Sequence, residues 1–440
     1  MARAEWGSRL GFVLAAAGSA IGLGAIWKFP YITAQNGGGA FLLIFLLLVF
    51  TLGISLMIAE MLVGSVTKKS PVGAYHKLGG RTWSLVGYIG VLCGFLILSF
   101  YSVVGGWTIA YIVKSVDGAI LTADPKVLSG IFSSFIADPA EPLWYHALFM
   151  GVTAGVILAG VQKGIEQVSK YLMIMLFLLI LVLIGRAITL PGAIDGVITF
   201  LNPDFSKVNA RMIIEAMGLA FFSMSLGMGC MITYGSYASD DTYVPHSAGS
   251  VITLTTLICF LSGLMVFPAV FVFGFDPSAG PGLTFITMPA VFSQMGGGQF
   301  FGVLFFFLLF VAALTSSVSL MEVVVSFFID EFNFPRTATT IVMSILMFIL
   351  GIGASLSLGV WKEYKLFGKN FFDILDYVSS NLIMPFGGIM VAILVGWKSW
   401  TLVSEHFAGQ GRNPWWLPLL KWFLRIVAPL MIFVVLLQNL

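Results

Sequence analysis

The chain is short of charge. Only 10% of its 440 residues are Asp, Glu, Lys or Arg, where a soluble domain carries about 25%. That shortage leaves too little polar surface for a water-soluble globule. The net charge of +2 provides no basic footprint for nucleic acid. Cysteine is scarce as well: Cys93, Cys230 and Cys259 all fall inside apolar runs, so no disulfide framework or thiolate metal cluster is on offer. His76, His146, His246 and His406 are scattered in or near loops and assemble no metal or nucleophile constellation. Ser225–Gly229, SLGMG, is too short and too deep in an apolar run to cradle phosphate. There is no low-complexity tail, and the first apolar run is too long for a signal peptide. These absences exclude a soluble enzyme, a metalloprotein and a nucleic-acid binder.

What the chain has instead is oil: 59% of residues are hydrophobic. Apolar runs of membrane-spanning length recur at about 9–35, 38–66, 84–115, 143–161, 168–190, 212–238, 246–274, 297–329, 336–356, 371–397 and 416–439, about eleven in all. The reading is an all-α integral membrane protein, multi-pass in the plasma (inner) membrane, with the lipid bilayer as its surroundings. Lys68, Lys69, Lys77 and Arg81 crowd one short loop, which places that loop and the amino terminus on the cytoplasmic side. The longest polar interruption, about 116–142, is then external. A more apolar stretch at about 275–296 is expected to fold back as a hairpin over the outer face.

Two spans spoil their own helix. Gly18–Pro30 reads GSAIGLGAIWKFP, with Gly18, Gly22 and Gly24 inside the first span. Glycine costs a helix about 1 kcal/mol against alanine and proline about 3. Ser223–Gly229, SMSLGMG, does the same in the sixth span. Backbone groups freed at membrane depth are tolerated where they line a cavity or bind something. Breaks at matching positions of two five-helix halves are the pattern of an inverted-repeat transporter, in which freed carbonyls take a cation and half-helix N–H groups an anion.

The chain resembles the neurotransmitter:sodium symporter family, its bacterial amino-acid transporter branch above all. The motifs that carry the resemblance are WGSRLGFVLAAAGSAIGLGAIWKFPY at 6–31, NGGGAF at 36–41, IAE at 58–60, KGIEQVSK at 163–170, FFSMSLGMGCMITYGSY at 221–237 and LTSSVSLMEV at 314–323. It implies the leucine-transporter fold: a 5+5 inverted repeat with helices 1 and 6 broken, plus one extra helix. The halves are expected at 1–190 and 191–398, and the last helix at 399–440.

The resemblance also implies sites. One sodium is expected between the first and eighth helices, on Gly18, Ile21, Ala312, Thr315 and Ser316. At the family's other sodium site Ala25 and Thr255 stand where side-chain amide or carboxylate ligands are usual, so one sodium per substrate is expected. Phe45 and Leu219 replace the usual chloride ligands, and Cys259 falls where chloride-independent relatives put a carboxylate; no chloride is expected. The substrate pocket carries over to Ser19, Gly22, Leu23, Gly24, Ile97, Tyr101, Phe222, Ser223, Ser225, Met228, Ser316 and Leu320. Its amide end, with Tyr101, suits a carboxylate. Its other end is apolar and suits a hydrophobic or aromatic amino acid, and no aspartate stands in the first break to hold a bare amine.

Lys28 with Asp376 matches the family's external gate pair, and Arg3 with Asp330 the internal one, near Trp6, Ser236 and Tyr237. Glu60 is expected to bond the freed backbone of the first helix, and Glu322 is a buried acid with no partner apparent in the sequence. Ile174 stands where relatives often have proline, so the fifth helix is expected to stay continuous. The function implied is sodium-coupled amino-acid symport by alternating access, not catalysis. Two rivals stay open: proton coupling or exchange through Glu60 or Glu322, and a membrane binder that does not transport.

Overall fold

Lipid offers backbone N–H and C=O groups no partner, so an apolar run that crosses it must satisfy them internally. The computed structural model describes residues 4–277, 282–409 and 414–439, and these are helical throughout apart from loops and two isolated bridges. Eight helices have the length and apolarity to cross a bilayer: Gly39–Thr67 (span 2), Arg81–Val116 (span 3), Val161–Ile188 (span 5), Val244–Val272 (span 7), Gly298–Phe332 (span 8), Arg336–Leu356 (span 9), Phe371–Lys398 (span 10) and Leu417–Gln438 (span 11). Arg9–Ala20 and Gly24–Gln35 form a bent pair, span 1, with 55° between its halves. Glu141–Leu158 (span 4) and the pair Ala210–Ser223 and Cys230–Ser236 (span 6) are shorter. All eleven expected runs are therefore helical, and the two expected to break are the two that do.

Spans 3 and 8 run through the middle of the molecule, with 72% and 78% of their apolar windows buried, while span 11 is peripheral at 28%. Small residues set the closest approaches. A Cβ at Gly64 of span 2 would meet the Ile232 carbonyl at 2.0 Å, and one at Gly235 would meet the Met61 carbonyl at 2.4 Å. The second half of span 6 is thus pinned backbone-to-backbone against span 2.

Span 5 runs unbroken through Ile174 from a π-helical first turn at Val161–Glu166. The stretch expected as a hairpin contains a helical segment, Leu283–Ser293. Its Phe285 ring packs on Tyr111 (4.9 Å between centroids), Phe132 (5.3 Å), Trp107 (5.8 Å) and Trp27 (5.9 Å). The long loop before span 4 contains its own helix, Pro125–Ala137.

Candidate functional site

The first half of span 1 ends at Ala20, and Ile21 leaves the helical region at φ −84°, ψ 74°. A π-helical turn, Gly24–Lys28, then restarts the span. In span 6, Ser225 has φ 52°, and Gly227 and Gly229 both have φ 80°. Left-handed backbone at a non-glycine residue is strain, held in place by its surroundings. Here the Ser225 hydroxyl donates to the Ser19 carbonyl at 2.8 Å. The Ser316 hydroxyl donates to the same carbonyl at 2.9 Å. The Ser19 hydroxyl reaches Ser319 at 2.6 Å. Two breaks and span 8 therefore meet at Ser19.

A narrow cavity of about 20 Å³ opens there, lined by Ser19, Ala20, Gly22, Gly24, Ile97, Tyr101, Phe222, Ser225, Met228, Ser316 and Leu320. Ten of these eleven are residues the sequence assigned to the pocket. Ala20 is added, and Leu23 and Ser223 do not line it. Leu23 turns its amide to the pocket instead, donating to the Tyr101 hydroxyl at 3.3 Å. Gly22, expected to offer a free amide, spends it on the Ala20 carbonyl at 3.0 Å. Side chains at both glycines would close the space: a Cβ at Gly22 would lie 2.5 Å from Ser316 Oγ, and one at Gly24 2.7 Å from the Phe222 ring. The Ser223 hydroxyl is buried without a partner and lies 3.2 Å from the position of a Cβ at Gly24. A volume of this size holds roughly one water, so the cavity must widen to admit an amino acid.

Of the expected sodium ligands, Gly18 of span 1 meets Thr315 and Ser316 of span 8, the Ser316 hydroxyl lying 3.4 Å from the Gly18 carbonyl. A Cβ at Gly18 would sit 3.2 Å from Thr315 Cβ and 3.3 Å from the sulfur of Met173 on span 5. Thr315 Oγ1 donates back to the Val311 and Ala312 carbonyls at 3.2 and 3.1 Å. A hydroxyl that donates in this way keeps its lone pairs for a cation. Ile21 and Ala312 are both fully buried. The donors in this corner are neutral oxygens, the hard ligands an alkali ion prefers. On the other side of the break the Ala25 carbonyl is held by the Ser262 hydroxyl at 2.8 Å, and Thr255 Oγ1 donates to Val251 of its own helix at 2.9 Å.

The acids find partners that the sequence only partly foretells. Lys28 is not ion-paired with Asp376: its ammonium sits 4.3 Å from the Phe222 ring centroid, where a cation meets the negative face of the ring. Asp376 accepts from Ser380 at 2.7 Å. Arg3 lies outside the described residues, and Asp330 accepts from the Ser70 amide at 2.6 Å. Glu60 braces the sixth span rather than the first, accepting from Gly227 N–H at 2.6 Å. Glu322 does have partners. Arg336 grips it with two nitrogens at 2.6 and 2.8 Å, and Tyr237 donates to it at 2.6 Å. No sequence signal joined these residues, because they lie on three different elements.

The amino-terminal segment is tied to the end of span 6 and to span 5. Trp6 donates its backbone N–H to the Tyr237 carbonyl and its indole N–H to the Tyr234 carbonyl, each at 2.9 Å. The Glu166 carboxylate of span 5 accepts from Gly7 N–H (2.6 Å), Ser8 Oγ (2.9 Å) and Lys170 (2.7 Å). Nearby, Lys68 donates to the exposed Asp240 carboxylate at 2.9 Å and holds it below the usual carboxylate range.

Comparison with known proteins agrees with this geometry. The model of the sodium:neurotransmitter symporter family matches residues 3–123 and 126–440. An uncharacterised sodium-dependent transporter of Bacillus subtilis, YhdH, is 41% identical over 437 residues, covering 99% of this chain and 97% of that one. One from Haemophilus influenzae is 34% identical, with 100% of this chain and 98% of its own length covered. Among solved structures, that of MhsT in complex with L-phenylalanine superposes with a TM-score of 0.91 at 41% identity, each chain covered in full.

Proposed function

From the premise that the chain belongs to the sodium:neurotransmitter symporter family, and so is a sodium-dependent membrane transporter and not an enzyme, we propose that it carries a zwitterionic amino acid with an apolar or aromatic side chain. The observation that carries this reading is the polarity of the cavity between the two breaks. At one end stand Ser19 and Tyr101, whose hydroxyl accepts from the Leu23 amide and keeps a proton of its own, the polar end suited to a carboxylate. At the other stand Ile97, Phe222, Met228 and Leu320, an apolar pocket in which methionine adapts its shape. MhsT, the structural relative above, was solved with L-phenylalanine, which supports the same class here.

Sodium enters this reading at Gly18, Ile21, Ala312, Thr315 and Ser316, as cargo that travels with the substrate. One ion per substrate is proposed, because Ala25 contributes no side-chain oxygen and its carbonyl is already bonded to Ser262. Chloride has no part in it. Alternating access is proposed around this fixed site, with the halves 1–190 and 191–398 as the moving units and a cytoplasmic amino terminus. Lys28 with Asp376 and Arg3 with Asp330 act as the outer and inner gates. Lys28 rests on the lid Phe222 in the occluded state and turns to Asp376 in another. Flux measured with a panel of amino acids in proteoliposomes tests the reading. Sodium-dependent uptake of phenylalanine or leucine, with none for lysine or glutamate, is expected; binding without flux would make the protein a membrane binder instead.

A further inference from the structure

Away from the substrate route, a groove of about 1080 Å³ lies between spans 3, 9 and 10. Its walls are apolar: Phe95, Leu346, Ile349, Leu350, Phe371 and Ile374 are among them. Gly353 opens it, since a Cβ there would press on Phe371 at 3.0 Å and approach the Trp361 ring at 3.8 Å. The groove continues onto the outward face of span 9, where Ile341, Val342 and Ile345 are exposed. That face meets hydrocarbon, so the occupant of the groove is a chain of lipid dimensions.

The rim is different in chemistry. Trp361, Tyr364 and Lys365 close one end of the groove. They belong to the loop 357–370, which carries Lys362, Lys365 and Lys369 against one acid, Glu363. Lys369 is engaged over the Tyr377 ring at 4.6 Å. Lys362 and Lys365 are exposed and, among the described residues, their ammonium groups make no ion pair or hydrogen bond. A bridge between Leu366 and Lys369 closes a two-residue turn, with Phe367 at φ 53° and Gly368 at φ 76°. Phe367 projects from it, 93% exposed. Tryptophan, tyrosine and lysine together at the end of a spanning helix mark the headgroup level of a bilayer.

We propose that this groove is a binding site for an anionic phospholipid, with one acyl chain between spans 3, 9 and 10 and the phosphate on Lys362 and Lys365. Charge complementarity selects the headgroup, and the apolar groove beneath it selects a lipid over a soluble phosphate. A lysine near a membrane surface favours an anionic lipid by roughly fivefold in affinity. The groove shares no lining residue with the cavity between the two breaks.

Trp361 reports on it directly. The full chain is reconstituted in phosphatidylcholine vesicles containing a minor fraction of phosphatidylglycerol, with bromine on the acyl chains of one lipid at a time. The Trp361 signal is taken as the difference between the wild type and Trp361→Phe. Brominated phosphatidylglycerol is expected to quench it well beyond that lipid's share of the bilayer. Lys362→Gln with Lys365→Gln should cut the preference by roughly fivefold per lysine, and inorganic phosphate should not reverse it. If Trp361→Phe does not fold, native mass spectrometry of the wild type reads the same preference as phosphatidylglycerol retained over phosphatidylcholine. Quenching that tracks bulk composition, a preference untouched by the double variant, or release by inorganic phosphate overturns the proposal. So does absence of quenching by either lipid in a chain that light scattering finds dimeric, which would give the groove to a second copy.

Discussion

The hydroxyl of Ser225 donates to the backbone carbonyl of Ser19 at 2.8 Å, so the two interrupted spans are tied to each other at the points where each breaks. Neither break is then an isolated weakness. The sixth span satisfies a carbonyl at the end of the first half of span 1, and Ser316 of span 8 joins it at the same carbonyl. The strained Ser225 backbone is retained because this bond and the flanking Gly227 and Gly229 hold it. The substrate cavity is what remains between the two ties.

The sodium corner makes the first prediction. Thr315→Ala with Ser316→Ala removes the two hydroxyls proposed as sodium ligands while leaving the fold of span 8 to its apolar neighbours. Sodium-stimulated substrate binding should be abolished, as read by scintillation proximity or tryptophan fluorescence against a sodium titration. Sodium dependence that survives unchanged would place the ion elsewhere.

Tyr101 makes the second. Its hydroxyl accepts from Leu23 N–H in the narrow cavity, with Ser316 beside it, and its proton is the donor expected to turn to an incoming carboxylate. Tyr101→Phe should weaken binding by about 1.5–3 kcal/mol, roughly 10- to 150-fold, the worth of a hydrogen bond to a charged group. The amide of the same amino acid should bind the wild type far less well. Equal affinity for acid and amide would contradict the carboxylate assignment.

Glu166 makes the third. It holds the amino-terminal segment to span 5 through Gly7 and Ser8. Inward opening with an unbroken span 5 then requires this clasp to release. Glutamine offers one acceptor oxygen where the carboxylate offers two, so Glu166→Gln gives up part of the clasp, at about 1–3 kcal/mol. Native thiols are buried, so a Leu14→Cys reporter in the cleft between spans 1 and 5 can be labelled alone. Labelling by a membrane-impermeant reagent should rise with Glu166→Gln. Equal labelling with and without the glutamate would show that the clasp does not govern opening.

Chloride makes the fourth. Phe45 is fully buried with its ring 5.1 Å from Phe29 and 6.3 Å from Phe41, and Leu219 is buried as well. Neither side chain carries a donor for an anion. Replacing chloride by gluconate should leave the initial rate of uptake unaltered, and a several-fold loss would show an anion site formed by other residues.

Both breaks were legible in the sequence because glycine and proline disrupt a helix by local means; the pocket residues came instead from the family resemblance, and ten of those twelve line the cavity between the breaks. What was not legible depends on which face of a helix meets which neighbour. Glu60 was expected at the first break and braces the sixth at Gly227, since span 2 passes close to both. Glu322 finds Arg336 across the turn between spans 8 and 9, a pairing set by how that turn folds. Ser262 lies two helical turns beyond Thr255, and only the packing of span 7 against span 1 brings its hydroxyl to Ala25. The Lys28 side chain settles on Phe222 by choice of rotamer, which no spacing encodes.

Sodium and an amino acid are proposed to move together, and the reversal potential in proteoliposomes reads that coupling directly. With one sodium per zwitterion a single charge moves. At roughly 100 mV the field supplies about 2.3 kcal/mol, and a tenfold sodium gradient about 1.4 more, which caps accumulation near 500-fold. The predicted ratio is one, rising to two when Ala25→Asn and Thr255→Asp restore oxygen ligands at the other site. A ratio of two in the wild type would contradict the single-site reading, and a potential that does not respond to sodium would contradict coupling altogether.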